Sequence, residues 1–252
     1  MRPLVSIVIP SIRVENIPAI YYSITKSTKE TFELIVCGPK VLPESIRSVP
    51  NIRYISDWGS PVRASCIAAE LACGDYLVWS SDDALFLPGA LDEMLAFRAG
   101  NDMLVGKYYE GMNGQPKAVQ PDSYFKLNNS EATRTQWFSD DWWLFNVGMM
   151  HRFSYLSMMG WDCSYEGTFF SHADLAVRWY IKGMKVTQTN VFLLDCDHNQ
   201  NDHKPIEIAQ VHHDMPFFLE RYKIQNPYIK IKGWGEVPAV WDKRFKVNQN
   251  VT

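Results

Sequence analysis

The chain reads as an α/β protein, and two observations carry that reading. Across the first hundred residues, β-branched apolar runs alternate with segments of helical period. Each run is closed by Pro, Gly or a polar cluster, so the strands are short and regularly spaced. Strands and helices alternating in this way predict a Rossmann-like, mostly parallel central sheet with helices on both faces. A composition of 46% apolar and 21% charged residues over 252 positions excludes collagen-like, coiled-coil and disordered classes.

The elements follow in order. Leu4–Ile9 is a continuous apolar run ended by Pro10, the signature of a buried parallel strand. Glu15–Ser27 places Ile17, Ile20 and Ile24 at helical spacing. Phe32–Cys37 is a second buried strand, stopped by Gly38-Pro39, and Ile52–Ile55 is a short third. Pro61–Ala72 predicts a helix whose small face of Ala64, Ala68 and Ala72 suits close packing on a sheet. Tyr76–Trp79 is a fourth strand, and Pro88–Phe97 a helix. Residues 107–145 are rich in Gly, Pro and Asn and predict a loop-and-hairpin region with clustered tryptophans. Helix returns over 172–183, strand over 186–194 and helix over 206–222. With no long linker, the chain is expected to form one domain of two halves, 1–105 and 106–222, with 223–252 as an extension.

Charge and cysteine content narrow the function. Net charge is −3, with no long block of like charge, so nucleic acid is not an expected partner. The apolar run near the N-terminus is too short for a leader, and no stretch approaches a membrane span of about 18 residues. Five cysteines lack close paired metal spacing, and their odd number argues against a full disulfide framework. A soluble protein of the reducing cytoplasm is expected.

In open parallel sheets, ligands bind at the carboxyl ends of the strands. There the sequence places Ser11 and Arg13 after the first strand, Asp57 and Arg63 after the third, and Ser81-Asp82-Asp83 after the fourth. Two adjacent carboxylates repel, and a divalent cation or a ligand hydroxyl would compensate them. A helix cap ahead of the following segment accounts for them equally well.

The stretches VSIVIPSIR, FELIVCGP and GSPVRASCIAAELACGDYLVWSSDDALFLPGALDEML together resemble the nucleotide-binding half of a family 2 glycosyltransferase with the GT-A fold. Gly59, Arg63, Ala72, Gly74, Tyr76, Asp83, Pro88 and Leu91 fit that pattern. GWDCSYEGTFFSHADLAVRWYIKGMKV resembles the family's Gly-Phe/Trp-Asp and Asp-Leu-x-x-Arg segments, and DHKPIEIAQVHHDMPFFLERY its Asp-His-x-Pro segment. The resemblance spans roughly residues 3–222 and rests on the order of the blocks. Four departures stand out. Cys37-Gly38-Pro39 replaces the usual Asp-Asp-Gly-Ser turn, Ser81 replaces the first Asp of the metal motif, Arg63 sits about a residue off the commonest register, and His172-Ala173-Asp174 replaces Glu-Asp-x-Asp.

The resemblance implies transfer of a sugar, with inversion, from a UDP-, GDP- or dTDP-sugar to a hydroxyl of a glycan or other acceptor. Pro10, Ser11, Arg13, Asp57, Arg63, Ser81 and Asp82 would hold the nucleotide sugar. Mn2+ or Mg2+ would be held by Asp83 and Asp82 with His203 or His198 from the polar tail, His212 and His213 standing third. Asp174 is the expected base, with His172 as the alternative, although Asp174 could equally serve the helix start. Trp142, Trp143 and Trp161 could stack on the acceptor's sugar rings, with Asp162 and Glu166 orienting it, although tryptophans at this density serve equally well as core or as an oligomer contact. Two rivals remain: an inactive glycosyltransferase-like scaffold, favoured by the lost Asp, and a sugar-phosphate nucleotidyltransferase. The second lacks its Gly-rich loop, because IPSIRVENI contains no glycine.

Overall fold

The structure is a computed structural model that describes residues 2–100, 102–110, 118–120, 146–197 and 204–222. Among them, nine strands form one sheet: β1 (Val5–Pro10), β2 (Phe32–Gly38), β3 (Ile52–Ser56), β4 (Tyr76–Trp79), β5 (Ala84–Phe86), β6 (Met103–Glu110), β7 (Ala118–Gln120), β8 (Gly148–His151) and β9 (Val186–Cys196). Their order is β3-β2-β1-β4-β8-β6-β9-β5, with β7 paired to β6. β1 to β4 are mutually parallel, and the antiparallel insertion of β8 leaves β6 and β9 running the same way as β4. Only β5, β7 and β8 oppose that direction, so the sheet is mostly parallel.

The helices are α1 (Ile17–Ser27), α2 (Glu44–Arg47), α3 (Pro61–Glu70), α4 (Ala90–Ala96), α5 (Arg152–Ser157), α6 (Thr168–Ile181), α7 (Lys204–Ala209) and α8 (Met215–Tyr222). A π-helical turn, Gln210–Asp214, joins the last two. They cover both faces of the sheet. On one face α1 buries Ile17, Ile20 and Ile24 beside Leu91 and Met94 of α4 and Ile7 and Ile9 of β1. Each fully buried isoleucine contributes about 1.5–3 kcal/mol of transfer free energy. On the other face α3, α6 and α8 contribute Val62, Ala68, Leu175, Trp179 and Phe218. The alanine face of α3 is buried as its small side chains predict, which brings the helix down onto β1 and β2.

Several elements lie outside the sequence expectation. β8 is a methionine-rich GMMH segment without β-branched residues, and pairing with β4 on one side and β6 on the other makes it a strand. β6 begins at Met103, ahead of the expected loop region 107–145, carries Gly106 and runs into that region as far as Glu110. α6 begins at Thr168, ahead of the expected 172, for a reason that lies in the C-terminal helix and is given below. The β6–β7 pair is the described part of the expected hairpin region, the rest of which, with Trp137, Trp142 and Trp143, lies outside the described residues.

Candidate active site

The carboxyl ends of β1 and β4 meet at one carboxylate. Asp82 Oδ2 accepts hydrogen bonds from Ser11 Oγ (3.1 Å) and from the backbone N–H groups of Ile12 and Arg13 (both 2.8 Å). Its Oδ1 accepts from Arg13 Nε at 2.9 Å and pairs with Arg13 Nη2 at 2.7 Å, while Asn16 Nδ2 donates to its backbone carbonyl at 2.8 Å. Asp82 is therefore the post on which the loop after β1 is wound. Asp83 Oδ2 lies 3.2 Å from the same Arg13 Nη2, and its Oδ1 accepts from Ser81 Oγ. The mutual repulsion of two neighbouring, buried carboxylates is thus offset by one guanidinium. Asn16, unremarkable in the sequence, completes this cluster.

The end of β2 sets the shape of the cleft. Pro10 lies in register with Cys37, and Ser11 N–H donates to the Cys37 carbonyl at 2.9 Å. A Cβ on Gly38 would fall 1.9 Å from the Ser11 carbonyl oxygen, so the departure Cys37-Gly38-Pro39 is a close crossing of two strand ends that only glycine permits. Burial, reinforced by the charge of Asp57, pushes the Cys37 thiol up to about 12, which makes it an inert packing group. Beside it, Asp57 Oδ2 accepts from Gly59 N–H at 2.9 Å and its Oδ1 from Arg63 Nε at 3.0 Å. Ser60 caps α3 by accepting from Arg63 N–H at 3.1 Å. The Arg63 side chain, 57% exposed, stands at the rim.

The base candidates occupy α6. Asp174 is fully buried, and its oxygens are taken by Arg178 Nε (2.8 Å), Arg221 Nη1 (3.1 Å) and Tyr165 Oη (3.5 Å). This geometry departs from the expectation that Asp174 faces an acceptor hydroxyl: two guanidiniums hold its carboxylate inside the protein. Arg178 also donates to the Met158 and Gly160 carbonyls, so the pair fixes the turn ahead of α6. His172, 6% exposed, stacks on Trp161 at 5.6 Å and meets Trp79 edge-on at 5.8 Å. Burial holds its pKa down to about 3, so the ring is neutral, and among the described residues its Nδ1 has no hydrogen-bond partner.

The expected acceptor residues are placed unevenly. Trp161 is 3% exposed and packed between Tyr155, Trp79 and His172, so it supports His172 from within the core instead of presenting a stacking face. Asp162 is partly exposed and pairs with Arg221 at 2.5 Å. Although burial acts in the opposite sense, the Ser164 N–H and Arg221 hold its carboxyl below the usual range. Glu166 and Gly167 donate their backbone N–H groups to the buried Asp214 at 2.8 and 2.6 Å. Asp214 thus caps the start of α6 from the C-terminal helix, which is why that helix begins early. Asp214 and Arg221 carry no isolated sequence signal, but they stand seven residues apart on one face of the expected 206–222 helix. His213 Nδ1 lies 2.8 Å from Asp214, turned to this structural contact. His198, His203, Trp142 and Trp143 lie outside the described residues.

The donor sets decide where a divalent cation fits. Asp82 has spent its acceptor capacity, whereas Asp83 accepts one donor per oxygen and keeps lone pairs for a hard cation. Among the described residues, no group of three or more His, Cys, Asp or Glu stands together as a metal site.

The fold matches solved structures. The chain aligns with S. aureus TarS residues 1–349 in complex with UDP at 14% identity and TM-score 0.58, covering 84% of this chain and 64% of that one. The same TarS fragment in complex with UDP-GlcNAc aligns at 15% identity and TM-score 0.56, with 81% and 60% covered. A further crystal structure of TarS 1–349 aligns at 13% identity and TM-score 0.59, with 97% and 78% covered. The fold is GT-A-like. This chain spans 46% of the longer TarS structure, at 14% identity and TM-score 0.57. No protein-family model and no curated protein matches the sequence. No described helix is long and apolar enough to cross a membrane.

Proposed function

We propose that the chain is a nucleotide-sugar-dependent glycosyltransferase that resembles family 2 and inverts the anomeric centre. The observation that carries this reading is the GT-A-like fold shared with a protein solved in complex with UDP and with UDP-GlcNAc. A UDP-sugar is accordingly the favoured donor class. The donor would lie over the carboxyl edge of β1–β4 in the 1–105 half, with the acceptor on the 106–222 half. Asp57 and Arg63 flank the nucleotide, and the loop that Asp82 secures through Ser11 and Arg13 faces the diphosphate. Mn2+ or Mg2+ held by Asp83 would supply positive charge to the leaving diphosphate.

Transfer is a direct displacement. The acceptor oxygen forms a bond to the anomeric carbon, the bond to the diphosphate breaks, and the acceptor proton passes to a base. We assign that base to His172 in preference to Asp174, because the ring is neutral and its Nδ1 is unengaged while Asp174 is ion-paired twice. A bound diphosphate within reach of the ring would raise the imidazole pKa from its depressed value. Asp174 instead positions the α6 helix that carries His172.

The test is a donor screen with single-turnover hydrolysis and transfer assays on UDP- and GDP-sugars, comparing His172→Ala and Asp174→Asn. The reading expects UDP-sugar turnover, intact UDP affinity and lost transfer in His172→Ala. Retained transfer in His172→Ala with loss only in a folded Asp174→Asn would return the base to Asp174. Absence of turnover and of nucleotide binding would favour an inactive scaffold.

A further inference from the structure

Apart from the strand-end cluster, a cavity of about 600 Å3 is lined by two thiols, Cys66 and Cys163, together with Glu70, Tyr155, Asp162 and Arg221. Cys66 lies on the buried side of α3, and Cys163 is exposed in the segment between α5 and α6. Both side chains line this one cavity, and Cys66 Sγ donates to the carbonyl of Trp161, two residues ahead of Cys163, at 3.3 Å. Elements distant in sequence therefore present adjacent thiols, one open to solvent and one behind it. That is the layout of an attacking and a resolving cysteine. The neighbouring Cys66 lowers the pKa of Cys163, against burial and the charges of Asp162 and Glu70, and Arg63 lowers it further. Cys66 itself is held protonated. The remaining cysteines differ: Cys37 and Cys196 are buried, and Cys73 is exposed without a second thiol among the hydrogen bonds that engage it.

We propose that Cys163 and Cys66 form a thiol–disulfide exchange site for low-molecular-weight disulfides, of which oxidised glutathione is the probe. The Cys163 thiolate attacks one sulfur of glutathione disulfide, forming a mixed disulfide and expelling one glutathione thiolate, which takes up the proton that Cys163 gave up. Cys66 then loses its proton and attacks Cys163 Sγ, forming the Cys66–Cys163 bond and expelling the second glutathione, which takes up that proton. The chain is oxidised by two electrons, and glutathione disulfide is reduced to two thiols. The new bond ties α3 to the segment that carries Trp161 and Asp162. The proposal is independent of the glycosyltransferase reading.

The experiment treats the full chain in a Cys73→Ser background with oxidised glutathione, then acid-quenches it for intact mass and non-reducing peptide mapping. The expected product has lost two hydrogens, retains no glutathione, and yields one linked peptide pair containing residues 66 and 163, all reversed by dithiothreitol. Cys66→Ser should trap a single glutathione on Cys163. A wild-type chain that keeps a stable adduct on Cys163 without the linked pair, or leaves Cys163 unmodified, overturns the proposal. Because the linked pair is read in the chain with both cysteines intact, the result does not depend on Cys66→Ser folding.

Discussion

Two side chains on α6 behave oppositely, and each makes a distinct prediction. His172 is neutral and buried, with its folded pKa depressed from 6.5 to about 3. The unfolded chain therefore binds more protons across that window, so stability rises with pH through it, by up to about 1.4 kcal/mol per pH unit. This contribution is fully present above about 6.5 and is lost as pH falls toward about 3. Urea unfolding between these pH values should show the slope in the wild type and a flatter line in His172→Phe. Equal slopes would mean that the ring reaches water. Asp174→Asn removes the charge facing Arg178 and Arg221. A fully buried pair broken on one side costs ~3–5 kcal/mol, and both arginines here reach solvent, so a loss of about 2–4 kcal/mol is expected. Denaturant midpoints check it. Wild-type stability with abolished transfer would instead mark Asp174 as a catalytic residue. At this scale the sequence was read in part. It brought Ser11, Arg13, Asp82 and Asp83 to one edge, but it could not say that Asp82 is consumed by five donors, because that depends on where the loop after β1 turns.

At the level of elements, legibility tracked how local the cause is. β4 is found at its expected residues and β1, β2 and β3 within one residue of theirs, because continuous β-branched runs and Pro or Gly stops act in place. β8 and the start of α6 were not legible, since a strand edge and a carboxylate from elsewhere in the chain create them. Asp214→Ala tests the second cause. It leaves the Glu166 and Gly167 amides buried without their acceptor and should cost about 2–3 kcal/mol. Hydrogen exchange should quicken at those amides and through the first turn of α6 while β1 and β2 stay protected. Unchanged exchange there would show that α6 starts without the cap. Gly38→Ala tests the strand crossing. Since its methyl would meet the Ser11 backbone, a loss of about 1–3 kcal/mol and weakened nucleotide affinity are expected together. Calorimetry and thermal unfolding read both, and an unaffected variant would show that the β1 and β2 ends can separate.

Across the whole molecule, six strands of common direction carry their carboxyl ends to one edge, and helices pack on both faces of the sheet. The first four strands deliver every described residue of the donor cluster, while α6 and α8 deliver His172 and the arginine pair behind it. An overall charge of −3 does not itself draw an anionic donor, and Arg13 and Arg63 are already paired with Asp82, Asp83 and Asp57, so the proposed cation at Asp83 would supply the attraction. The central claim is that this edge binds a nucleoside diphosphate with a cation at Asp83. Isothermal titration with UDP, in the presence of Mn2+ and then of chelator, tests it most directly when wild type and Asp83→Ala are run side by side. UDP should bind the wild type more tightly with Mn2+, and a folded Asp83→Ala equally with or without it. A wild-type chain that binds no UDP with or without Mn2+ would contradict it.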